Sequence, residues 1–122
     1  MEKKKILIVD DEKDWTQMLV ARLESEGYQT AVAFDSIQAM TQAVQSKPNL
    51  MLLDIKMPAG GGLETLKHLR GNTKTFSLPV IVITAKEDKE TQEAAEKLGI
   101  SGYFIKPVDM AQLLNRIKTV LK

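Results

Sequence analysis

The most constraining feature of the sequence is an alternation, repeated five times, between a short apolar run and a helical pattern. The runs at residues 6–9, 50–53, 80–83 and 103–105 are typical of strands covered on both faces, whereas residues 30–34 suit an edge strand. Such βα units predict a parallel sheet with right-handed crossovers and helices on both faces. We therefore expect an α/β, doubly wound (βα)5 fold.

Between these runs, apolar residues recur at helical spacing, and Gly or Pro ends each of the first four patterns. In the first pattern, Trp15, Met18, Leu19 and Leu23 form one stripe that should pack against the sheet. The predicted helices cover residues 14–26, 36–47, 63–69, 88–98 and 110–121. Because no Pro-, Gly- or Ser-rich linker interrupts the pattern, we expect one domain over residues 1–122.

Composition excludes several classes of function. Lys and Arg total 17 against 16 Asp and Glu, and the net charge of +1 offers no electrostatic footprint for nucleic acid or an anionic membrane. The absence of cysteine excludes disulfides, thiolate metal sites and a cysteine nucleophile. The apolar run near the start is too short for a signal peptide, and no segment has membrane-spanning length. We expect a cytoplasmic protein with protein partners.

Polar side chains follow the apolar runs at the positions where ligands bind. Asp10 and Asp11 follow the first run, Asp54 the third, Thr84 the fourth and Lys106 the fifth. Open parallel sheets bind ligands beyond the carboxyl ends of their strands. In a flavodoxin-like strand order of 2-1-3-4-5, the first and third strands are neighbours, which would bring the three carboxylates together.

Converging carboxylates repel one another, so such a cluster persists only if a cation neutralises it or if its pKa values rise. Ligands that are all oxygen favour a hard ion, and Mg²⁺ accepts one or two carboxylates together with phosphate oxygens. We therefore expect a Mg²⁺ site, with Mn²⁺ as an alternative ion.

A carboxylate beside cations can act as the nucleophile in phosphoryl transfer. Asp54 is the candidate nucleophile, which would form an aspartyl phosphate. Lys106 would supply a second cation as a flexible point charge, and the hydroxyl of Thr84 could hydrogen-bond a remaining phosphoryl oxygen.

Four motifs carry a resemblance to a known family. They are ILIVDDE at residues 6–12, DIKMP at 54–58 with Gly62 beyond it, VITA at 82–85 and GYFIKP at 102–107. In this order and spacing, the chain resembles, over its whole length, the receiver domain of bacterial two-component response regulators, in its chemotaxis-regulator-like form. Any one of the motifs alone would be a weak signal.

The resemblance implies a role for each matching residue. Asp54 would be the phosphoacceptor, Asp10 and Asp11 the acidic pair that binds metal, and the backbone carbonyl of Lys56 the remaining protein ligand to Mg²⁺. Thr84 would be the hydroxyl that moves toward the phosphoryl group.

Further residues receive roles from the same resemblance. Lys106 would pair with the phosphoryl group, and its peptide bond to Pro107 would be cis. Tyr103 would be the aromatic residue that turns inward on activation, although a strand tyrosine that is simply packed is the alternative. Lys56 and Lys86, at the mouth of the pocket, would tune the lifetime of the aspartyl phosphate.

One segment departs from the family pattern. Where the family commonly has a bulky residue and Asp, this chain has Ala59, Gly60 and Gly61 between Pro58 and Gly62. Glycine can adopt backbone conformations that other residues avoid, so we expect a more flexible loop with altered contacts to a kinase.

Together these features predict a signalling switch rather than an enzyme that turns over substrate. A histidine kinase, a phosphotransfer protein or a small phosphodonor would phosphorylate Asp54, and the chain would catalyse only its own phosphorylation and dephosphorylation. The resemblance implies a target surface on the fourth helix, fifth strand and fifth helix, roughly residues 86–122, in a monomer or a phosphorylation-dependent dimer. A phosphorelay shuttle, or the receiver of a longer regulator with a DNA-binding or enzymatic output, is the alternative.

Two other classes fit less well. An aspartate-nucleophile phosphatase needs a second Asp two residues after the nucleophile, where this chain has Lys56. A flavin-binding module needs a phosphate-cradling loop in place of Asp10 and Asp11.

Overall fold

The computed structural model describes residues 3–56, 61–85 and 88–122. Within these ranges, strands and helices alternate along the chain. The strands are β1 (Lys5–Val9), β2 (Gln29–Ala33), β3 (Leu50–Leu53), β4 (Val80–Thr84) and β5 (Gly102–Ile105). The helices are α1 (Lys13–Ser25), α2 (Ser36–Gln45), α3 (Gly61–Arg70), α4 (Lys89–Leu98) and α5 (Met110–Val120).

The strands form one parallel sheet in the order β2-β1-β3-β4-β5, which confirms the predicted doubly wound topology. In the register of the sheet, Val9 pairs with Ala33 of β2 on one side and with Leu53 of β3 on the other. The residues that follow Val9 and Leu53 therefore leave the sheet at the same edge.

Helices cover both faces of the sheet, as the continuous apolar runs predict. On one face, Leu7 and Val9 belong to a buried cluster with residues of α2, α3 and α4. On the other face, Ile6 and Ile8 belong to a second buried cluster with residues of α1 and α5. The period-two alternation of side chains divides β1, β3, β4 and β5 between the two clusters, whereas the edge strand β2 contributes Ala31 and Ala33 to the first cluster only.

The first turn of α3 begins earlier than the apolar pattern indicates, at Gly61 instead of residue 63. A Cβ atom at Gly62 would lie 2.5 Å from the backbone oxygen of Asp54, so this position requires the close approach that glycine allows. The amide of Gly62 donates to the carbonyl of Ile55 over 2.8 Å. The start of α3 thus packs directly on the segment that follows β3.

The inward stripe of α1 differs from the prediction at one position. Met18 is 41% exposed, whereas Thr16, Leu19 and Leu23 are buried. Successive residues of a helix are about 100° apart, so Met18 lies beside the buried stripe and not at its centre. No helix in the described ranges is both long and apolar enough to cross a membrane.

Candidate functional site

The two principal carboxylates lie at the carboxyl edge of the sheet, one residue beyond neighbouring strands. The amide of Asp10 donates to the carbonyl of Ala33 over 3.1 Å, and the amide of Asp54 donates to the carbonyl of Val9 over 2.9 Å. These backbone hydrogen bonds continue the parallel pairing one residue beyond the ends of β1 and β3. Asp10 and Asp54 are only 2% and 5% exposed, so both are nearly removed from water.

Lys106 brings a positive charge into this acidic pocket. Its Nζ lies 2.8 Å from Asp10 Oδ2, 2.8 Å from Glu12 Oε1 and 3.6 Å from Asp54 Oδ2. The Lys106 side chain is 13% exposed, and its backbone amide donates to the carbonyl of Thr84 over 2.9 Å. Carboxylates that follow β1 and β3 therefore meet around the ammonium group of the residue that follows β5, and a backbone bond joins that residue to the end of β4.

Burial and charge shift the pKa values of this pocket. Burial raises the pKa of Asp10 above its ordinary value, and the negative charge of Asp54 adds to that effect, while the hydrogen bond from Lys106 opposes it. For Lys106, burial alone would lower the pKa. Its hydrogen bonds to Asp10 and Glu12 outweigh burial, so the pKa of Lys106 is raised and the ammonium form is favoured.

Three carboxylates are close enough to share a cation. Asp10, Glu12 and Asp54 each offer an oxygen, and these oxygens lie within 4.8 Å of one another. Oxygen donors of this kind suit a hard divalent ion such as Mg²⁺. Asp11, the second residue of the predicted acidic pair, is exposed and is not part of this cluster.

Glu12 is the site residue that the sequence reasoning did not single out. It occupies the N-cap position of α1 but makes no side-chain capping bond, and its carboxylate instead reaches Lys106. Its backbone amide donates to Asp10 Oδ1 over 2.9 Å. An acidic residue two positions after Asp10, directly before a helix, was the signal that could have identified it.

The segment after β3 directs its backbone toward the acidic pocket. The amide of Lys56 donates to Asp54 Oδ1 over 2.9 Å, while the Lys56 side chain is exposed. The bond fixes one carboxylate oxygen of Asp54 and leaves the other facing Lys106. Residues 57–60 lie outside the described residues, as does Lys86. They include Pro58, Ala59 and Gly60 of the loop whose sequence differs from the family pattern.

The predicted switch residues lie next to the pocket. Thr84 is fully buried at the end of β4 and pairs with Ile105 in the sheet. Tyr103 of β5 is half-buried; burial raises the pKa of its phenol, and the charges of Asp88, Asp54 and Glu96 raise it further. The peptide bond between Lys106 and Pro107 is cis.

A family model described as the response regulator receiver domain matches residues 6–118. The chain belongs to the response regulator receiver domain family. Members of this family are phosphoacceptor switches of two-component systems and not classical enzymes, and they typically use Mg²⁺.

Relatives of this receiver domain include proteins that are about twice its length. It is 34% identical over 119 residues to the phosphate regulon transcriptional regulatory protein PhoB of Escherichia coli, a match that covers 98% of this chain and 52% of PhoB. The chain thus spans about half the length of that relative.

Solved structures share the fold over nearly the whole receiver domain. The CheY-like receiver domain protein of Methanospirillum hungatei superimposes with a TM-score of 0.92 at 30% identity, and the match covers 98% of this chain and 94% of that one. The chemotaxis protein CheY4 of Vibrio cholerae gives 0.90 at 27% identity, covering 98% and 100%.

Proposed function

We propose that Asp54 accepts a phosphoryl group in a Mg²⁺-dependent reaction and that the resulting change of surface is read by a protein partner. The observation that carries the proposal is the set of two buried carboxylates, Asp10 and Asp54, with one Lys106 ammonium within 3.6 Å of both. Burying two carboxylates together is costly unless positive charge offsets their repulsion, which Lys106 supplies in part and a bound divalent cation would complete. The same two cations would then offset the negative charge of a phosphoryl group on Asp54.

The chemical step is a displacement at phosphorus. A carboxylate oxygen of Asp54 attacks the phosphorus of the donor, and a new O–P bond forms as the bond to the leaving group breaks. With acetyl phosphate as donor, acetate leaves with the electron pair of the broken bond. The products are an aspartyl phosphate and acetate, and no further reactant is needed.

The surrounding residues stabilise charge on the transferring group. The ammonium of Lys106 offsets negative charge on the phosphoryl oxygens, and the hydroxyl of Thr84 donates to one of them. Asp10, Asp11, Asp54 and the backbone carbonyl of Lys56 would hold the ion, with Glu12 as a further oxygen donor. When bound, Mg²⁺ supplies positive charge against the phosphoryl oxygens and screens the carboxylates from one another.

The phosphoryl group adds a charge of about −1.5 to −2 at a pocket that already holds several carboxylates. Thr84 and Lys106 turn toward it, and Tyr103 follows inward to fill the space behind Thr84. This movement biases the surface formed by α4, β5 and α5, which a target protein reads. The half-buried state of every residue in β5 supports this assignment, because the edge strand presents part of its surface to a partner.

The upstream partner is a histidine kinase or a phosphotransfer protein, and residues 1–122 act as one cytoplasmic receiver domain without direct contact to nucleic acid. The half-length match to PhoB supports a role as the receiver of a longer regulator. The full-length match to CheY4 of Vibrio cholerae supports a receiver that acts by protein contact, as a monomer or a phosphorylation-dependent dimer. Return of the phosphoryl group to a phosphotransfer histidine would identify a shuttle.

We also propose that Lys56 and Lys86 tune the lifetime of the aspartyl phosphate by limiting the approach of water. The exposed position of Lys56 directly after the phosphoacceptor segment supports this role. The phosphorylated lifetime of Lys86→Ala would differ from that of the parent, whereas Lys67→Ala, an exposed position on α3, would leave it unchanged. Equal lifetimes in all three proteins would refute the assignment of Lys86.

The test of the proposed function is the intact mass of the protein after treatment with acetyl phosphate. We expect the mass gain of one phosphoryl group in the parent with Mg²⁺, and no gain with EDTA or in Asp54→Asn. Replacing Asp54 by Asn keeps the shape of the side chain but removes the nucleophilic charge. A gain that persists in Asp54→Asn would reject the proposal, and steady turnover of a phosphate ester would favour a phosphatase.

A further inference from the structure

An aromatic ring lies against the ammonium group of the pocket. The Nζ of Lys106 is 5.2 Å from the ring centroid of Trp15, within the distance at which a cation is attracted to the negative face of an aromatic ring. Trp15 belongs to the first turn of α1. It also lines a narrow gap in the packing together with Asp10 and Asp54.

Packing fixes the position of this ring. Trp15 is half-buried and packs against the cluster that contains Leu19 and Ile83. Its helix packs on the sheet through Leu19 and Leu23, and the hydroxyl of the buried Thr16 donates to the carbonyl of Glu12 over 2.6 Å in the first turn. The ring therefore has packing contacts with the core on one side and the Lys106 ammonium close by.

The other partners of the ammonium must change when a phosphoryl group arrives. Lys106 now directs two donors to Asp10 and Glu12, and Asp54 lies beyond hydrogen-bond distance at 3.6 Å. Phosphoryl oxygens on Asp54 would compete for these donors, and the carboxylate of Glu12, at 62% exposure, is the partner that water replaces most easily. The ring of Trp15 accepts no donor in that exchange, so its attraction persists throughout.

We propose that Trp15 is a positioning residue for phosphoryl transfer: its ring face holds the Lys106 ammonium in the pocket while the N–H donors pass from Glu12 to the phosphoryl oxygens. The inference rests on the proposed function of Asp54. It assigns a task to Trp15 that packing between helix and sheet alone would not require.

The sequence makes a selective experiment available, because Trp15 is the single tryptophan. Incorporation of 5-fluorotryptophan and more highly fluorinated tryptophans therefore alters position 15 alone. Fluorine withdraws electron density from the ring face with little change of shape. We expect the initial rate of phosphorylation by acetyl phosphate to fall stepwise along the series, by about two- to tenfold in total. A purely structural ring predicts equal rates across the series.

A double-mutant cycle tests whether the ring acts through the ammonium. Trp15→Leu should slow phosphorylation of the parent, and Trp15→Phe should retain part of the rate because it keeps a ring face. In a Lys106→Met background, Trp15→Leu should have no further effect on the residual rate. Val20→Ala, in the same helix and packed against the same cluster, is the matched packing control and should leave the rate unchanged.

The outcomes separate this inference from the function on which it rests. If the parent gains a phosphoryl group but rates are equal along the fluorinated series, the role of Trp15 is refuted and the phosphoacceptor function stands. An equal loss from Trp15→Leu with and without Lys106 also refutes it, because the ring would then act by packing. If the parent gains no phosphoryl group, the proposed function itself fails.

Discussion

Replacing Lys106 by Met tests how the acidic pocket is held together without metal. The change removes one positive charge while keeping much of the aliphatic stem, and it leaves Asp10 and Asp54 buried without their cation. Breaking a fully buried ion pair by removing one partner costs about 3–5 kcal/mol. The Glu12 pair contributes little to that cost, because the Glu12 side chain is 62% exposed and water can solvate its carboxylate once the Lys106 ammonium is gone.

Protonation limits the size of the effect. The hydrogen bond from Lys106 lowers the pKa of Asp10, so its loss lets the pKa of that carboxyl rise further and partly relieves the buried charge. We therefore expect Lys106→Met to lower the free energy of unfolding by about 2–3 kcal/mol at neutral pH, which is at or below the lower end of the range for a fully buried pair.

Urea unfolding followed by far-ultraviolet circular dichroism in EDTA measures this change. The control is Lys118→Met, since the ammonium of Lys118 lies 3.6 Å from Glu26 on the surface and the two side chains are 59% and 28% exposed. Its loss should cost less than about 1 kcal/mol. In an Asp10→Asn background, Lys106→Met should lower the free energy of unfolding by less than it does in the parent, because only one buried carboxylate then loses its cation. A cost for Lys106→Met equal to that of Lys118→Met would refute this reasoning.

Three further predictions concern the same pocket. Gly62→Ala should destabilise the protein by about 1–3 kcal/mol in urea unfolding, because its Cβ would meet backbone at 2.5 Å, whereas Gly71→Ala, with 3.5 Å of clearance, should be tolerated. By NMR titration, the pKa of the Tyr103 phenol should lie above its ordinary value of 10.0, and it should be lower in Asp54→Asn than in the parent. The contribution of this raised pKa to the free energy of unfolding is present below pH 10.0 and is lost as pH rises through the folded-state pKa. Mg²⁺ should raise the Tm of the parent but not that of a protein carrying both Asp10→Asn and Asp54→Asn, and equal shifts would contradict binding at this cluster.

The fold was predictable because its signals are local and repeated. Apolar runs such as residues 50–53 report burial on both faces of the sheet, and Gly27 and Gly99 mark helix ends. The predicted strand order 2-1-3-4-5 is that of the flavodoxin-like fold, in which the first and third strands are neighbours. The meeting of Asp10, Asp54 and Lys106 follows from that order, because each comes one residue after its strand.

Features that depend on side-chain reach were not predictable in the same way. Glu12 could have capped α1 or faced water, and only the three-dimensional position of Lys106 decides that it pairs with the ammonium. The early start of α3 was hidden because Gly61 and Gly62 carry no apolar side chain, although their backbone packs on the segment after β3. The contact between Trp15 and Lys106 joins residues far apart in the chain, and helical periodicity records only the burial of the ring.

The most direct test of the central claim is to locate the phosphoryl group in the chain. Treatment with acetyl phosphate and Mg²⁺, followed by borohydride reduction and peptide mass mapping, converts an aspartyl phosphate into homoserine at its position. The account predicts homoserine at position 54 alone, and none when EDTA replaces Mg²⁺. Homoserine at another aspartate, or full modification without a divalent ion, would contradict it.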